Sequence, residues 1–224
     1  MANGTALLFD LDGTLTDSRP GILACIRHAL EQAGLESPSE KDLQRYIGPP
    51  LSHSFAQLLS VEVGAPRVAE AIAHYRERFT ATGMFENAVY DRIPAVLDEV
   101  ADLGAQLYVA TSKPRVFAER ILQHFGLADR FIAIFGSELD GRLADKSELI
   151  AHVLENAGLD PLESVMIGDR EHDMFGAVGN GVYPAGVLWG YGSDEELRNA
   201  GAQHLLAVPA EIAGLAHHLY MPGR

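Results

Sequence analysis

The amino-acid sequence predicts an α/β fold: a doubly wound parallel sheet core with an inserted α-helical cap domain. Three observations carry this expectation. Short apolar runs alternate with amphipathic helical stretches from residue 93 onward, the pattern of parallel strands joined by helical crossovers. Residues 18–82 show helical periodicity and no strand pattern, so this block reads as an insert after the first strand. Acidic and hydroxyl-bearing motifs directly follow three of the apolar runs, where open α/β sheets bind ligands. The core domain is therefore assigned residues 1–16 and 86–224, and the cap domain residues 17–85.

Ala6-Leu7-Leu8-Phe9 reads as a buried strand running into Asp10-Leu11-Asp12-Gly13-Thr14. Asp17 or Ser18 can N-cap a helix with Pro20 in its first turn. Ile22, Ile26 and Leu30 give that helix one apolar stripe, and Gly34 ends it. Ser39 and Asp42 resemble a capping box that opens a short second helix. A stiff turn, Arg45-Tyr46-Ile47-Gly48-Pro49-Pro50, leads to a third helix over 51–59. Val68, Ile72, Tyr75 and Phe79 mark a fourth, after which Gly83 is a candidate hinge.

Beyond Asn87 the pattern alternates. Residues 93–103 read as a helix closed by Gly104, and 106–110 as a strand ending in Thr111-Ser112-Lys113-Pro114. Phe117, Ile121, Leu122 and Phe125 stripe the next helix, and 131–135 read as a strand. An irregular stretch to Asp145-Lys146 precedes a helix marked by Leu149, Ile150, Val153 and Leu154. Residues 164–167 form a strand entering Gly168-Asp169-Arg170-Glu171-His172-Asp173. A helix to about Val178, a strand over 185–188, a helix N-capped by Ser193 and a last helix over 210–219 complete the chain.

With 224 residues, 47% of them apolar, the chain can bury a sizeable core. A formal net charge of −14 opposes nucleic-acid binding, which needs a basic face. The single cysteine, Cys25, allows neither an internal disulfide nor a cysteine zinc cluster. Residues before Leu7 lack the basic start of a signal peptide, and no apolar run approaches membrane-spanning length. The expectation is a cytoplasmic protein without a membrane partner, as a monomer or homodimer.

Asp10 and Asp12, two residues apart at a strand end, repel each other and are poor strand material. Their chemical reading is a nucleophilic carboxylate, a second carboxyl for proton transfer, and a divalent cation between them; the structural alternative is an ordinary Asp-Gly turn. Gly13 releases the chain so that backbone N–H groups can approach a ligand. Asp169 and Asp173 are spaced to share one helix face, and with Asp10 and Asp12 they would crowd one site. Such crowding calls for a cation, and hard oxygen ligands suit Mg2+. Thr111 and Ser112 offer hydroxyl and backbone donors before a helix, and Lys146 offers a fixed positive charge. Together these groups suit phosphoryl transfer by covalent carboxylate catalysis.

These motifs, in this order and spacing, resemble the haloacid dehalogenase superfamily of phosphatases over nearly the whole chain. The resemblance implies Asp10 as nucleophile, Asp12 as general acid/base, and Thr111 or Ser112 with Lys146 on the phosphoryl group. It implies magnesium held by Asp10, the Asp12 carbonyl and Asp169, with Asp173 close by. The helical insert is similar to the cap of the phosphoglycolate phosphatase-like subfamily. Ile47-Gly48-Pro49-Pro50-Leu51, Ala110-Thr111-Ser112-Lys113-Pro114, Leu139-Asp140-Gly141, residues 166–173 and Gly190-Tyr191-Gly192 resemble its 5′-nucleotidase-like branch. There the arginine before the lysine sits one place later than Arg142. The implied activity is magnesium-dependent hydrolysis of a small phosphorylated metabolite. A phosphomutase, a pyrophosphatase and a non-catalytic phosphometabolite sensor are the alternatives. Arg45 and Gly48 are the cap residues expected to face the leaving group. His172, between two acids, is a weaker ligand candidate, and Trp189 and Tyr191 either border the site or pack.

Overall fold

Ala6, Leu7, Leu8 and Phe9 are all buried, as a strand covered on both faces requires. In the computed structural model, which describes residues 5–220, they form β1 (Ala6–Phe9). The ends of the expected core domain, 1–4 and 221–224, lie outside the described residues. The chain continues through β2 (Thr16–Asp17), α1 (Arg19–Gln32), α2 (Glu40–Leu43), α3 (Leu51–Leu59), α4 (Pro66–Ala81) and β3 (Ala88–Val89). Then come α5 (Ile93–Asp102), β4 (Gln106–Pro114), α6 (Arg115–His124), β5 (Ala133–Ser137), α7 (Lys146–Ala157) and β6 (Ser164–Gly168). The last elements are α8 (Glu171–Gly179), β7 (Tyr183–Val187), α9 (Asp194–Asn199), β8 (His204–Leu206) and α10 (Glu211–Tyr220).

Six strands make one parallel sheet in the order β5-β4-β1-β6-β7-β8. The chain runs β1-β4-β5 toward one edge and β6-β7-β8 toward the other, so the switch point lies between β1 and β6. Alternation sends Ala6 and Leu8 to one face, where Leu149, Ile150 and Val153 of α7 and Ala177 of α8 pack on them. Leu7 and Phe9 point to the opposite face, where Phe9 meets the Phe131 ring edge-on at 6.1 Å. Register sets the level of the loops: Phe9 pairs with Val109 on one side and Ile167 on the other. The residues just past each of these ends must therefore emerge together.

Several strands differ from the sequence expectation, β7 among them, which begins at Tyr183 rather than at residue 185. The run 131–135 marks the approach to β5, which begins at Ala133; Phe131 ends a 3-10 turn and Ile132 is 63% exposed. The edge strand β8 was not expected, since three residues are too few to show alternation. β4 also runs on to Pro114 through a register shift against β5 between Thr111 and Pro114, instead of stopping at Ala110.

The chain forms two compact units, Met1–Thr16 with Val89–Arg224, and Asp17–Ala88. In the second, α1 packs on α4, and Phe55, Tyr75 and Phe79 form an aromatic row at 6.1 and 5.5 Å. Ser39 Oγ accepts the Asp42 N–H and so caps α2. Ser18 is the N-cap residue of α1 and its side chain makes no capping hydrogen bond, while Asp17 Oδ1 accepts the Arg19 N–H at 3.2 Å. Gly83, the candidate hinge, is closely packed. It is buried within this unit, and a Cβ there would strike Cys25 Sγ. Gly21 on α1 is its counterpart, where a Cβ would collide with the Gly83 carbonyl oxygen.

This close approach predicts that Gly21→Ala lowers stability by about 1–3 kcal/mol through overpacking. Gly64→Ala, with nothing within 4 Å of the added Cβ, is the matched control and should be near neutral. Urea midpoints of the two variants check this; equal midpoints would show that Gly21 is not required by contact.

Candidate active site

The site is built by strand register. Asp10 follows β1, and its N–H donates to Ile167 O of β6 at 2.9 Å. Thr111 lies on β4 at the same level, and Asp169 follows β6 directly. Lys146 opens α7, whose N-cap Asp145 accepts the N–H groups of Ser147 and Glu148. Asp173 is in the first turn of α8, where it accepts the Arg170 N–H at 3.1 Å. Asp169 precedes that helix, so the two acids do not share a helix face as their spacing suggested. The sheet and the helix N-terminus bring them together instead.

Lys146 is the centre of the cluster. Its Nζ lies 3.0 Å from Asp10 Oδ1 and 2.7 Å from Asp173 Oδ1, and donates to Ala110 O at 2.9 Å. Burial alone would push this ammonium down, but Asp10 and Asp173 hold it above the ordinary lysine range. Asp169 is fully buried. Burial, reinforced by the charges of Asp173 and Asp10, pushes its carboxyl well above the ordinary aspartate range. The Tyr191 N–H, 2.7 Å from Oδ2, works the other way. Burial raises Asp173 too, with the Lys146 ammonium opposing it.

Room for Asp169 comes from glycine. Gly13 has φ +86°, and a Cβ there would collide with the Asp169 carboxylate. A Cβ at Gly190 would collide with the Asp169 side chain as well. The Gly13 N–H is committed to Thr16 O at 2.8 Å. That N–H is therefore not among the backbone donors left to approach a ligand, and this glycine clears space for the carboxylate. Thr14 Oγ1 lies 3.5 Å from Asp169 Oδ1, and Trp189 Nε1 donates to Thr14 O at 3.0 Å. The loop after β6 is pinned by Glu196 of α9, which accepts Arg170 Nε at 2.8 Å and the Glu171 N–H at 3.0 Å. Burial opposes ionisation of Glu196, and the Arg170 guanidinium together with the Glu171 and Ser193 backbone leaves the carboxyl below its usual value.

Asp12 has its own cation, one that the sequence expectation does not single out. Lys113 Nζ lies 2.9 Å from Asp12 Oδ2, with the two side chains 6% and 14% exposed. The other oxygen, Asp12 Oδ1, is buried without a hydrogen-bond partner. Lys113 reaches this place because β4 continues past Thr111 through its register shift. Gly136 makes room there, since a Cβ would stand 2.6 Å from Lys113 O. The sequence signal is the two-residue step from Thr111 along a continuing strand. Thr111 is buried and its Oγ1 accepts the Lys113 N–H at 3.2 Å; Ser112 O accepts from Ser137 Oγ at 2.8 Å.

One carboxylate oxygen from each of Asp10, Asp169 and Asp173 lies within 4.8 Å of the others. With Asp12, four carboxylates face two ammonium groups, leaving two formal negative charges uncompensated. An all-oxygen donor set of this charge fits a hard divalent cation. His172 is not part of this cluster. Arg142 is exposed and pairs with Asp140 at 2.9 Å. Arg45 is exposed, donates to Tyr46 Oη at 2.8 Å and stacks 5.0 Å above its ring; Gly48, with φ +107°, is exposed beyond it. No helix among the described residues is long and apolar enough to cross a membrane.

Comparison with known proteins places the chain in a family. The profile of the haloacid dehalogenase-like hydrolases matches residues 7–187. A protein of Pseudomonas aeruginosa named 5′-nucleotidase is 48% identical over 201 residues, 90% of each chain. A protein of Mycobacterium tuberculosis named tyrosine-protein kinase PtkA is 41% identical over 187 residues, 83% of this chain and 62% of that one. A crystal structure described as a predicted phosphatase from Clostridium acetobutylicum superimposes with a TM-score of 0.92 at 41% identity, covering 97% of this chain and 100% of that one. The chain belongs to the haloacid dehalogenase-like hydrolase family, and within it stands with the phosphoric monoester hydrolases.

Proposed function

We propose that this chain is a magnesium-dependent phosphatase that hydrolyses a small phosphomonoester, phosphoglycolate-like or 5′-nucleotide-like, through an aspartyl-phosphate at Asp10. The observation that carries this reading is the Asp10 carboxylate held 3.0 Å from the buried Lys146 ammonium, beside Asp169 and Asp173. Asp10, the Asp12 carbonyl and Asp169 would hold magnesium, with Asp173 beside them. When bound, the cation offsets the repulsion between a carboxylate and a phosphate dianion.

An Asp10 oxygen attacks phosphorus, the ester P–O bond breaks, and the Asp12 carboxyl gives its proton to the leaving oxygen. In the second step the Asp12 carboxylate takes a proton from water. The water oxygen attacks phosphorus, the bond to Asp10 breaks, and inorganic phosphate leaves. Lys146 and the Thr111 and Ser112 hydroxyls bind the transferring oxygens. Lys113 fixes Asp12 through Oδ2, which leaves the unpaired Oδ1 for the proton. The helical unit supplies substrate choice, with Arg45 and Gly48 as the residues to test by selectivity.

One relative named as a tyrosine kinase favours a second reading, in which the phosphoryl group passes to an acceptor hydroxyl. A phosphate-release screen with magnesium against nucleotides, phosphoglycolate, sugar phosphates and pyrophosphate tests the first reading. Phosphate balance with a phenol or sugar acceptor present separates the two. Full recovery as inorganic phosphate supports hydrolysis, and phosphorylated acceptor supports transfer.

Asp10→Asn should abolish turnover. Asp12→Asn should slow the first step about a hundred- to ten-thousand-fold for alkyl esters and much less for aryl phosphates, whose leaving groups need no proton. Lys113→Met should share this leaving-group dependence in milder form. Pre-steady-state release of phenol and phosphate checks all three. A phenol burst from Asp10→Asn removes the nucleophile, and equal first-step losses for alkyl and aryl esters in Asp12→Asn remove the acid.

Magnesium should raise the thermal midpoint, by about 2.7 kcal/mol of stability at a hundredfold excess over its dissociation constant. Asp169→Asn should lose that gain and, without metal, be at least as stable as the parent, since a buried like charge is removed. The sign follows from the raised carboxyl of Asp169. The folded state holds the proton longer, so metal-free stability falls as pH rises from the ordinary aspartate value near 4. The fall should be shallower in Asp169→Asn. A magnesium gain retained by that variant would contradict the ligand assignment.

A further inference from the structure

We infer that His28, His74 and Glu77 form a second metal site, for a borderline divalent transition cation, on the helical unit. His28 lies on α1, and His74 and Glu77 lie three residues apart on α4, on one helix face. The two helices pack on each other, and the imidazoles cross at 6.4 Å between centroids with an 80° interplanar angle. His74 Nδ1 stands 3.7 Å from Glu77 Oε2, and one ligand atom from each of the three residues lies within 4.8 Å of the other two. A tetrahedral ion with bonds of about 2.0–2.2 Å needs ligand atoms roughly 3.3–3.6 Å apart. The remaining closure is of order one ångström. Glu77, with a side chain 74% exposed, can supply it by rotation, and His74, 41% exposed, by a smaller turn.

The donor set separates this site from the acidic cluster of the core. Two imidazole nitrogens and one carboxylate suit Zn2+, Co2+ or Ni2+ and disfavour Mg2+, whereas the core cluster offers oxygen alone. Three protein ligands leave a fourth position for water. Since the ligands come from α1 and α4, a bound ion cross-links the two helices and stabilises the helical unit by mass action.

The test uses untagged full-length protein with magnesium saturating. Zn2+ is titrated by calorimetry, and Co2+ by the visible bands that tetrahedral nitrogen–oxygen coordination produces. One Zn2+ equivalent per chain is expected, with affinity falling at least about tenfold in His28→Ala, in His74→Ala and in Glu77→Gln. The Zn2+ equivalent should persist in Asp169→Asn, and Zn2+ should raise the thermal midpoint of the parent but not of the His28→Ala/His74→Ala double variant. Glu77→Gln, at an exposed position, keeps the test decisive if a histidine variant fails to fold. No equivalent in the parent, unchanged affinity in any of the three variants, or loss of binding in Asp169→Asn overturns the site.

Discussion

The rest of the core is arranged around one electrostatic problem: four carboxylates crowded at strand ends and one helix first turn, with two ammonium groups paired to three of them among the described residues. Buried charge is tolerable only when paired, and pairing demands fixed geometry. The parallel register supplies it. Because Phe9 pairs with both Val109 and Ile167, three chain segments far apart in sequence emerge at one level. Lys146 then links two of the carboxylates while its third contact, to Ala110 O, ties it to the sheet. Asp169 has no ammonium partner and is held by the Tyr191 N–H, in space that glycine leaves open.

This arrangement opposes stability where it prepares chemistry. A buried carboxyl raised by its neighbours favours the protonated form and costs the folded state at neutral pH. The surrounding apolar layers must offset that cost: Leu8, Met166, Leu149 and Ile150 are fully buried beneath the cluster's strands and helix. Strain of this kind, concentrated at ligand-binding loops, is a recurrent property of catalytic sites. The helical unit shows the contrast. Its aromatic row and the Gly21–Gly83 approach are packing devices, and Arg78 pairs with Glu86 at 2.7 Å in a partly exposed position.

Much of this was legible in the sequence because period and punctuation agree there. Helix α3 begins at Leu51 and ends at Leu59, as the residues after Pro50 announce, and α7 begins at Lys146 behind a capping Asp145. What escaped the sequence depends on tertiary pairing. β5 starts two residues late because Phe131 is used to pack on Phe9 instead of pairing with β4. β8 exists because β7 offers an edge, which no three-residue pattern can announce. Asp169 and Asp173 meet through a strand end and a helix turn, although their spacing suggested a single helix face. The commitment of the Gly13 N–H to Thr16 O likewise follows from how the loop closes, which residue type alone does not specify.

Lys113 shows the same limit with a chemical consequence. A lysine after a strand is ordinarily a solvated residue. Here the strand continues, the register shift turns it inward, and a glycine on β5 admits its backbone. The two ammonium groups thus take different carboxylates, Lys146 the one at residue 10 and Lys113 the one at residue 12. On the proposed mechanism this division matters. A nucleophilic carboxylate needs a neighbouring cation to receive an anionic phosphate, whereas a proton carrier needs one oxygen fixed and the other free to exchange. Asp12 has that asymmetry: Oδ2 is paired at 2.9 Å, and Oδ1 is buried and unpartnered. On that proposal, the chemical difference between two aspartates two residues apart rests on which lysine each one meets.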